Sequence, residues 1–255
     1  MALTLDVTSG QVPLAIRATL RSGIGMDLPY GLDLAGILAT RVRAFDRKDR
    51  ADRDILLTAP LPDTTEEEPE DLSLPLARCL GGGSDWHWAA SCAIPLDPDP
   101  DPEPRTFYRV LDAGWMHRVA VRPLPYHHPS KGSYRDVMMP APVIQCREVE
   151  WRAVGDPEAV ERLLRPLAYL GRRRSVGEGK VLSWDVSEVA DADPAEWVHR
   201  SDDGGLIRPV PEACADARAV PYDMGYYAIR PPSWVPGRMQ ELAMTKADDE
   251  EWGDW

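Results

Sequence analysis

The chain has 255 residues and a mass of 28.4 kDa, and 44% of it is apolar, enough for one large domain or two small ones with a real core. Its 29 basic residues stand against 42 acidic, and a net charge of −13 argues against indiscriminate nucleic-acid binding, because phosphate affinity rests on Lys and Arg. Proline, at 25 residues, is about twice its usual ~5% share and excludes a long uninterrupted helical bundle, while no apolar run approaches the ~20 residues of a membrane span.

The N-terminus has no basic region followed by an apolar stretch, so no signal peptide is expected and a cytoplasmic protein is. Residues 13–21 alternate as a strand, with Leu14, Ile16, Ala18 and Leu20 on one face. A glycine-rich connection, residues 22–31, leads into a helix over 32–45 whose apolar face carries Leu32, Ile37, Leu38 and Val42. After the Gly81-Gly82-Gly83 turn signal, residues 86–94 read as a second strand. The basic, aromatic and turn-rich stretch 105–142 contains short strand candidates at 107–110 and 119–121, and residues 143–154 form a long β-rich strand. Asp156, Pro157 and Glu158 then supply an N-cap, a first-turn proline and an acidic first turn. Val160, Leu163, Leu164, Leu167 and Leu170 continue that helix to Gly171. Residues 180–186 are the strand that follows. Beyond 187 the chain is rich in Pro, Asp and Gly, with one more strand candidate at 226–230.

The frame is strand–helix–strand, an irregular insert, then strand–helix–strand, which predicts an α+β, ferredoxin-like fold with an elaborated middle. The four cysteines, Cys79, Cys92, Cys146 and Cys214, are scattered, without a C-x-x-C pair or a Cys/His cluster at metal-ligand spacing. Buried free thiols are expected, and neither a metal nor a cofactor. Asp185, Glu188, Asp191 and Asp193 read as a strand end and loop rather than a metal site.

Charge is segregated. Residues 105–180 hold 14 Lys/Arg against 8 Asp/Glu, a surplus of +6, which leaves −19 for the rest. Acidic runs occupy 63–71, the alternating prolines of 97–104, and the tail 248–255, where loops and an acidic extension are expected. Arginine outnumbers lysine 25 to 4 and supplies planar forks suited to phosphate.

The segment Gly171-Arg172-Arg173-Arg174-Ser175-Val176-Gly177-Glu178-Gly179-Lys180 carries the most chemistry. Its three glycines permit close backbone approach, its four cations suit phosphate, and Ser175 can donate a hydrogen bond. It matches neither a P-loop nor a dinucleotide fingerprint.

A glycine-rich loop between the last helix and last strand of such a unit resembles the hallmark loop of the RAMP superfamily of CRISPR-associated proteins. Leu32-Asp33-Leu34-Ala35-Gly36-Ile37-Leu38-Ala39 resembles that family's L-D-x-x-L-A pattern, and residues 138–142 stand where such proteins resume the core after an inserted thumb. The pattern is most similar to the Cas five-group subunit of type IV effector complexes. The resemblance implies a RAMP domain over 1–190 with a thumb at about 95–142, and a C-terminal extension at 191–255. It also implies a non-catalytic role: binding the 5′ handle of the guide RNA (crRNA) and capping a filament of backbone subunits, with target DNA reached through the complex. RNA would then be gripped by Arg172, Arg173, Arg174 and Lys180, with Gly171, Ser175, Gly177 and Gly179, and by thumb residues Tyr126, His127, His128, Lys131 and Arg135. Arg17 and Arg21 are weaker candidates. The alternative is a metal-independent repeat endoribonuclease of the Cas six group, with His127, His128 and Lys131, beside His117 and Tyr126, as acid–base candidates.

Overall fold

The computed structural model describes residues 4–26, 30–51, 71–80, 86–99, 105–109, 118, 136–141, 143–172, 174, 177–233 and 235–245. A short strand β1 (Thr4–Asp6) precedes β2 (Val12–Leu20), whose alternation buries Leu14, Ile16, Ala18 and Leu20 as the spacing predicts. Helix α1 (Leu34–Ala51) follows, capped by Asp33, whose carboxylate accepts from the Ala35 and Gly36 amides. The helix runs on through the charged stretch that the periodicity had placed outside it.

The expected strand over 86–94 is instead two strands in two sheets. β3 (Arg78–Leu80) and β4 (Trp86–Trp88) join β1, while β5 (Ile94–Leu96) pairs with a later strand. Between β4 and β5 the buried small residues 89–93 turn the chain, and Ser91 ties the turn down by exchanging hydrogen bonds with the Arg152 backbone. Next come β6 (Arg105–Arg109) and β7 (Val137–Ala141), an antiparallel ribbon at the base of the insert. The strand candidate at 119–121 lies outside the described residues.

β8 (Glu148–Gly155) begins five residues later than the sequence suggests, because Ile144 pairs with Ile24 instead of extending the strand. Helix α2 (Pro157–Leu164) has the expected cap, with Asp156 Oδ1 accepting from Ala159 N at 3.0 Å. It ends at Arg165 rather than Gly171, since Pro166 lacks the amide needed to continue it. Leu170 is nonetheless buried, so the apolar spacing reports a core contact, not helix. β9 (Val181–Glu188) completes the unit.

The main sheet has the order β5-β8-β2-β9, antiparallel throughout. In order of the core strands this is second, third, first, fourth, the split β-α-β arrangement of a ferredoxin-like fold. Both long helices cover one face, where Leu34, Leu38, Val160 and Leu164 meet Leu14, Ile16, Val149 and Trp151.

The other face is covered too. Residues after β9 form α3 (Pro194–Trp197), whose Trp197 indole donates to Leu14 O at 2.9 Å and lies under the Arg152 guanidinium. Helix α4 (Glu212–Asp216) and the hairpin β10 (Tyr222–Ala228) and β11 (Met239–Thr245) close a second core of Leu206, Val210, Cys214, Val220 and Ala243 around Cys79. All four cysteines are free and buried, as expected. Among the described residues no helix is long and apolar enough to cross a membrane.

Candidate nucleic-acid interface

Antiparallel pairing sets three strand ends side by side. The β2 end at Leu20 meets the starts of β8 and β9: Leu20 N donates to Arg147 O at 2.7 Å, and Arg21 N donates to Lys180 O at 2.9 Å. Arg21, Arg147 and Lys180 therefore share one end of the sheet. Leu96, which ends β5, pairs with Glu148, and Asp99 N donates to Gln145 O at 2.8 Å. The chain at 96–99 and the chain at 145–148 therefore lie together at this same end.

The glycine-rich loop is sewn onto the connection that follows β2. Arg172 N donates to Gly25 O at 2.7 Å, Gly179 N to Gly23 O at 3.0 Å, and Leu170 N to Gly179 O at 2.8 Å. Glycine is demanded at two points. Gly171 has φ +69°, and a Cβ there would stand 2.4 Å from Gly25 O; Gly179 has φ +66°, and its Cβ would stand 2.0 Å from Leu170 O. The two glycine-rich stretches noted in the sequence are therefore two halves of one seam.

This corrects the expected role of the glycine backbone. The amides of Gly177 and Gly179 already donate to Arg174 O and Gly23 O, so the glycines bring chains together rather than cradle an anion through those N–H groups. Side chains supply the charge. Arg21, Arg147, Arg172 and Arg174 are exposed and Lys180 is half-buried, while Glu178 is buried within reach of the Ser22 hydroxyl at 3.5 Å. Arg147 was missed in the sequence because it fell inside the stretch read as strand. Beside the seam lies a hollow of about 860 Å³ whose wall carries Arg21 and Arg147 together with Asp97, Asp99 and Glu148, so cations and carboxylates share this end.

Arg17 stands apart from that rim. Across the β2–β8 pair it donates to Glu150 Oε2 at 2.8 Å, and the same carboxylate accepts from Arg152 Nε at 3.2 Å. That bond, then the charge of Glu150, holds the Arg17 guanidinium even more firmly protonated than usual. Its charge is already answered.

Arg173, Ser175, Tyr126, His127, His128, Lys131, Arg135 and His117 lie outside the described residues. The ribbon that leads to the insert presents Tyr108 and Met138 as a cross-strand pair, 70% and 65% exposed, an apolar surface that the sequence reading passed over. The two described histidines, His87 and His199, are sealed in the interior and belong to neither the seam nor the ribbon.

The profile of the family described as CRISPR type IV associated protein Csf3 matches residues 12–245, and the chain belongs to that family. No curated protein matches it.

Proposed function

We propose that this type IV CRISPR-associated chain is a non-catalytic RAMP-superfamily subunit of the Cas five group. It holds the 5′ handle of the guide RNA and caps one end of the backbone filament. One observation carries the reading: the glycine seam, the chain at 96–99 and the chain at 145–148 converge on the same end of the ferredoxin-like sheet, where Arg21, Arg147, Arg172, Arg174 and Lys180 also gather. A single RNA segment passing that end meets rigid cations from the seam and the Tyr126, His127, His128, Lys131 and Arg135 stretch of the thumb together. Phosphates are contacted by arginine forks, and splayed bases stack on thumb aromatics. The other subunits of the effector complex are its partners, and target DNA reaches it through them.

Replacing Arg172, Arg173 and Arg174 together by Ala tests this. Guide RNA then co-purifies poorly with the complex, and the log–log salt slope of binding falls by about 2, at ~0.7 per lost single-strand phosphate contact. Unchanged retention and slope would sink the proposal. The nuclease reading makes an opposite claim: the pure chain in EDTA cuts repeat RNA once, and loses that cut on replacing His127 and His128.

A further inference from the structure

The sequence spaces Cys79, His87 and Cys214 too far apart to suggest a metal site, but folding brings them together. Cys79 on β3 and His87 on β4 are directly paired across the strands, so their side chains leave the sheet on one face. Cys214, on α4, arrives from the opposite wall of the second core. The two sulfurs and a His87 ring nitrogen lie within 4.8 Å of one another, and all three residues are buried.

The hydrogen bonds around His87 identify which nitrogen is available. His199 Nδ1 sits 2.6 Å from Ala195 O, which can only accept, and 3.0 Å from Arg218 Nη2, which itself donates to that carbonyl at 2.8 Å; the tautomer that serves the shorter contact to the carbonyl puts the proton on His199 Nδ1 and leaves Nε2 as an acceptor. In that tautomer His87 Nε2, 2.9 Å away, is the donor to it. The His87 lone pair therefore resides on Nδ1. That atom is fully buried and has no hydrogen-bond partner among the described residues. An unpartnered buried acceptor needs an explanation, and a cation supplies one.

The surroundings suit a ligand set. Burial, then the Arg208 guanidinium, holds His87 in the neutral form that metals bind, and burial followed by Arg218 does the same for His199. The relay from Ala195 O through His199 to His87 is the kind of outer support that fixes a ligating imidazole.

We propose that Cys79 Sγ, His87 Nδ1 and Cys214 Sγ bind one zinc ion that pins the C-terminal segment to the three-stranded sheet. Binding releases two thiol protons. The resulting unit of a divalent ion, two thiolates and a neutral imidazole has no net charge, so it adds none to a core that already holds Arg208 and Arg218. Three protein ligands leave one tetrahedral position for a water molecule. This proposal is independent of the RNA-binding reading, since the site lies in the second core and not at the seam.

The full chain, purified under reducing conditions, is assayed for metal by plasma mass spectrometry and then exchanged with Co²⁺. The expected result is one zinc per chain. Cobalt then gives a thiolate-to-metal charge-transfer band with intense tetrahedral visible bands, and Cys214→Ser weakens the charge-transfer band. In case that variant fails to fold, the unaltered chain is stripped with chelator and refilled: its melting temperature falls on stripping and recovers with Zn²⁺. A chain that carries no zinc, shows no cobalt–thiolate band and melts identically with and without Zn²⁺ overturns the proposal. So does a metal-free chain in which mild oxidation joins Cys79 to Cys214 as a disulfide.

Discussion

Gly179→Ala and Gly177→Ala separate the two things a glycine does in the seam. Both positions have positive φ, +66° and +95°, so alanine pays the left-handed backbone cost of roughly 1–2 kcal/mol at each. Only at Gly179 does the new Cβ collide, 2.0 Å from the Leu170 carbonyl, whereas nothing lies within 4 Å at Gly177. A clash with backbone is relieved only by moving the loop. That breaks the bonds from Gly179 N to Gly23 O and from Leu170 N to Gly179 O, worth about 1 kcal/mol each. Gly179→Ala should therefore cost about 3–4 kcal/mol, and Gly177→Ala about 1–2 kcal/mol. For a chain of this size, at ~2–4 °C per kcal/mol, the first lowers the melting temperature by about 10 °C and the second by only a few degrees. Thermal melts monitored by circular dichroism read this directly, and guide-RNA retention by the complex should fall for Gly179→Ala and persist for Gly177→Ala. Equal shifts for the two variants would refute the seam argument.

The remaining expectations concern single side chains. Glu150→Ala leaves the Arg152 guanidinium, with its side chain 9% exposed, with only the exposed Asp202 carboxylate and the Arg200 carbonyl; a loss of about 2–3 kcal/mol is expected in urea unfolding, against under ~1 kcal/mol for half-exposed Arg17→Ala. Similar losses for the two would contradict the assignment of Glu150 as the buried hub. Tyr108→Ala should leave the melting temperature unchanged, because the ring is 70% exposed, and should weaken RNA binding by roughly 5-fold or more if it stacks on a base; unaltered affinity in a filter-binding assay removes the ribbon from the RNA surface. Asp156→Ala removes the cap of α2 and should cost about 1 kcal/mol, visible as a lower urea midpoint at constant slope.

What the sequence disclosed depended on how local each feature is. The strand at Val12–Leu20 and the cap at Asp156 are written in neighbouring residues, as alternation and as an Asp-Pro-Glu start. The glycine loop was legible for a related reason, since positive-φ turns need glycine whatever surrounds them. Where a contact joins distant segments, the pattern misled. Leu167 and Leu170 kept helical spacing because both reach the core, although Pro166 had already stopped the helix. Trp86 and Ile94 fell in one apolar run yet belong to different sheets, because the Ala-rich turn between them packs on β8. Cys79, His87 and Cys214 have no spacing that announces a site; only the meeting of a hairpin with α4 creates one.

Charge shows the same dependence on location. A surplus of arginine in a chain of net charge −13 is not a count of phosphate contacts, because much of it is structural. Arg152, Arg208, Arg218 and Arg238 are buried. Arg152 joins Glu150 and Asp202, Arg238 joins Asp71, and Arg208 donates to the carbonyls of Trp88 and Ala90. Arg17 is matched by Glu150 and Arg230 by Asp71. These pairs also neutralise acidic residues, so they lower the density of both signs on the body of the protein. At the end of the sheet Arg21 and Arg147 share a hollow with Asp97, Asp99 and Glu148, and Arg172 and Arg174 are exposed on the seam beside it. An RNA bound there feels a short, rigid cluster rather than a long basic track. Binding should accordingly show the salt dependence of a few contacts, far below the 14 Lys/Arg of residues 105–180. A slope that scaled with the whole segment would mean that RNA runs along the insert instead of lodging at the seam.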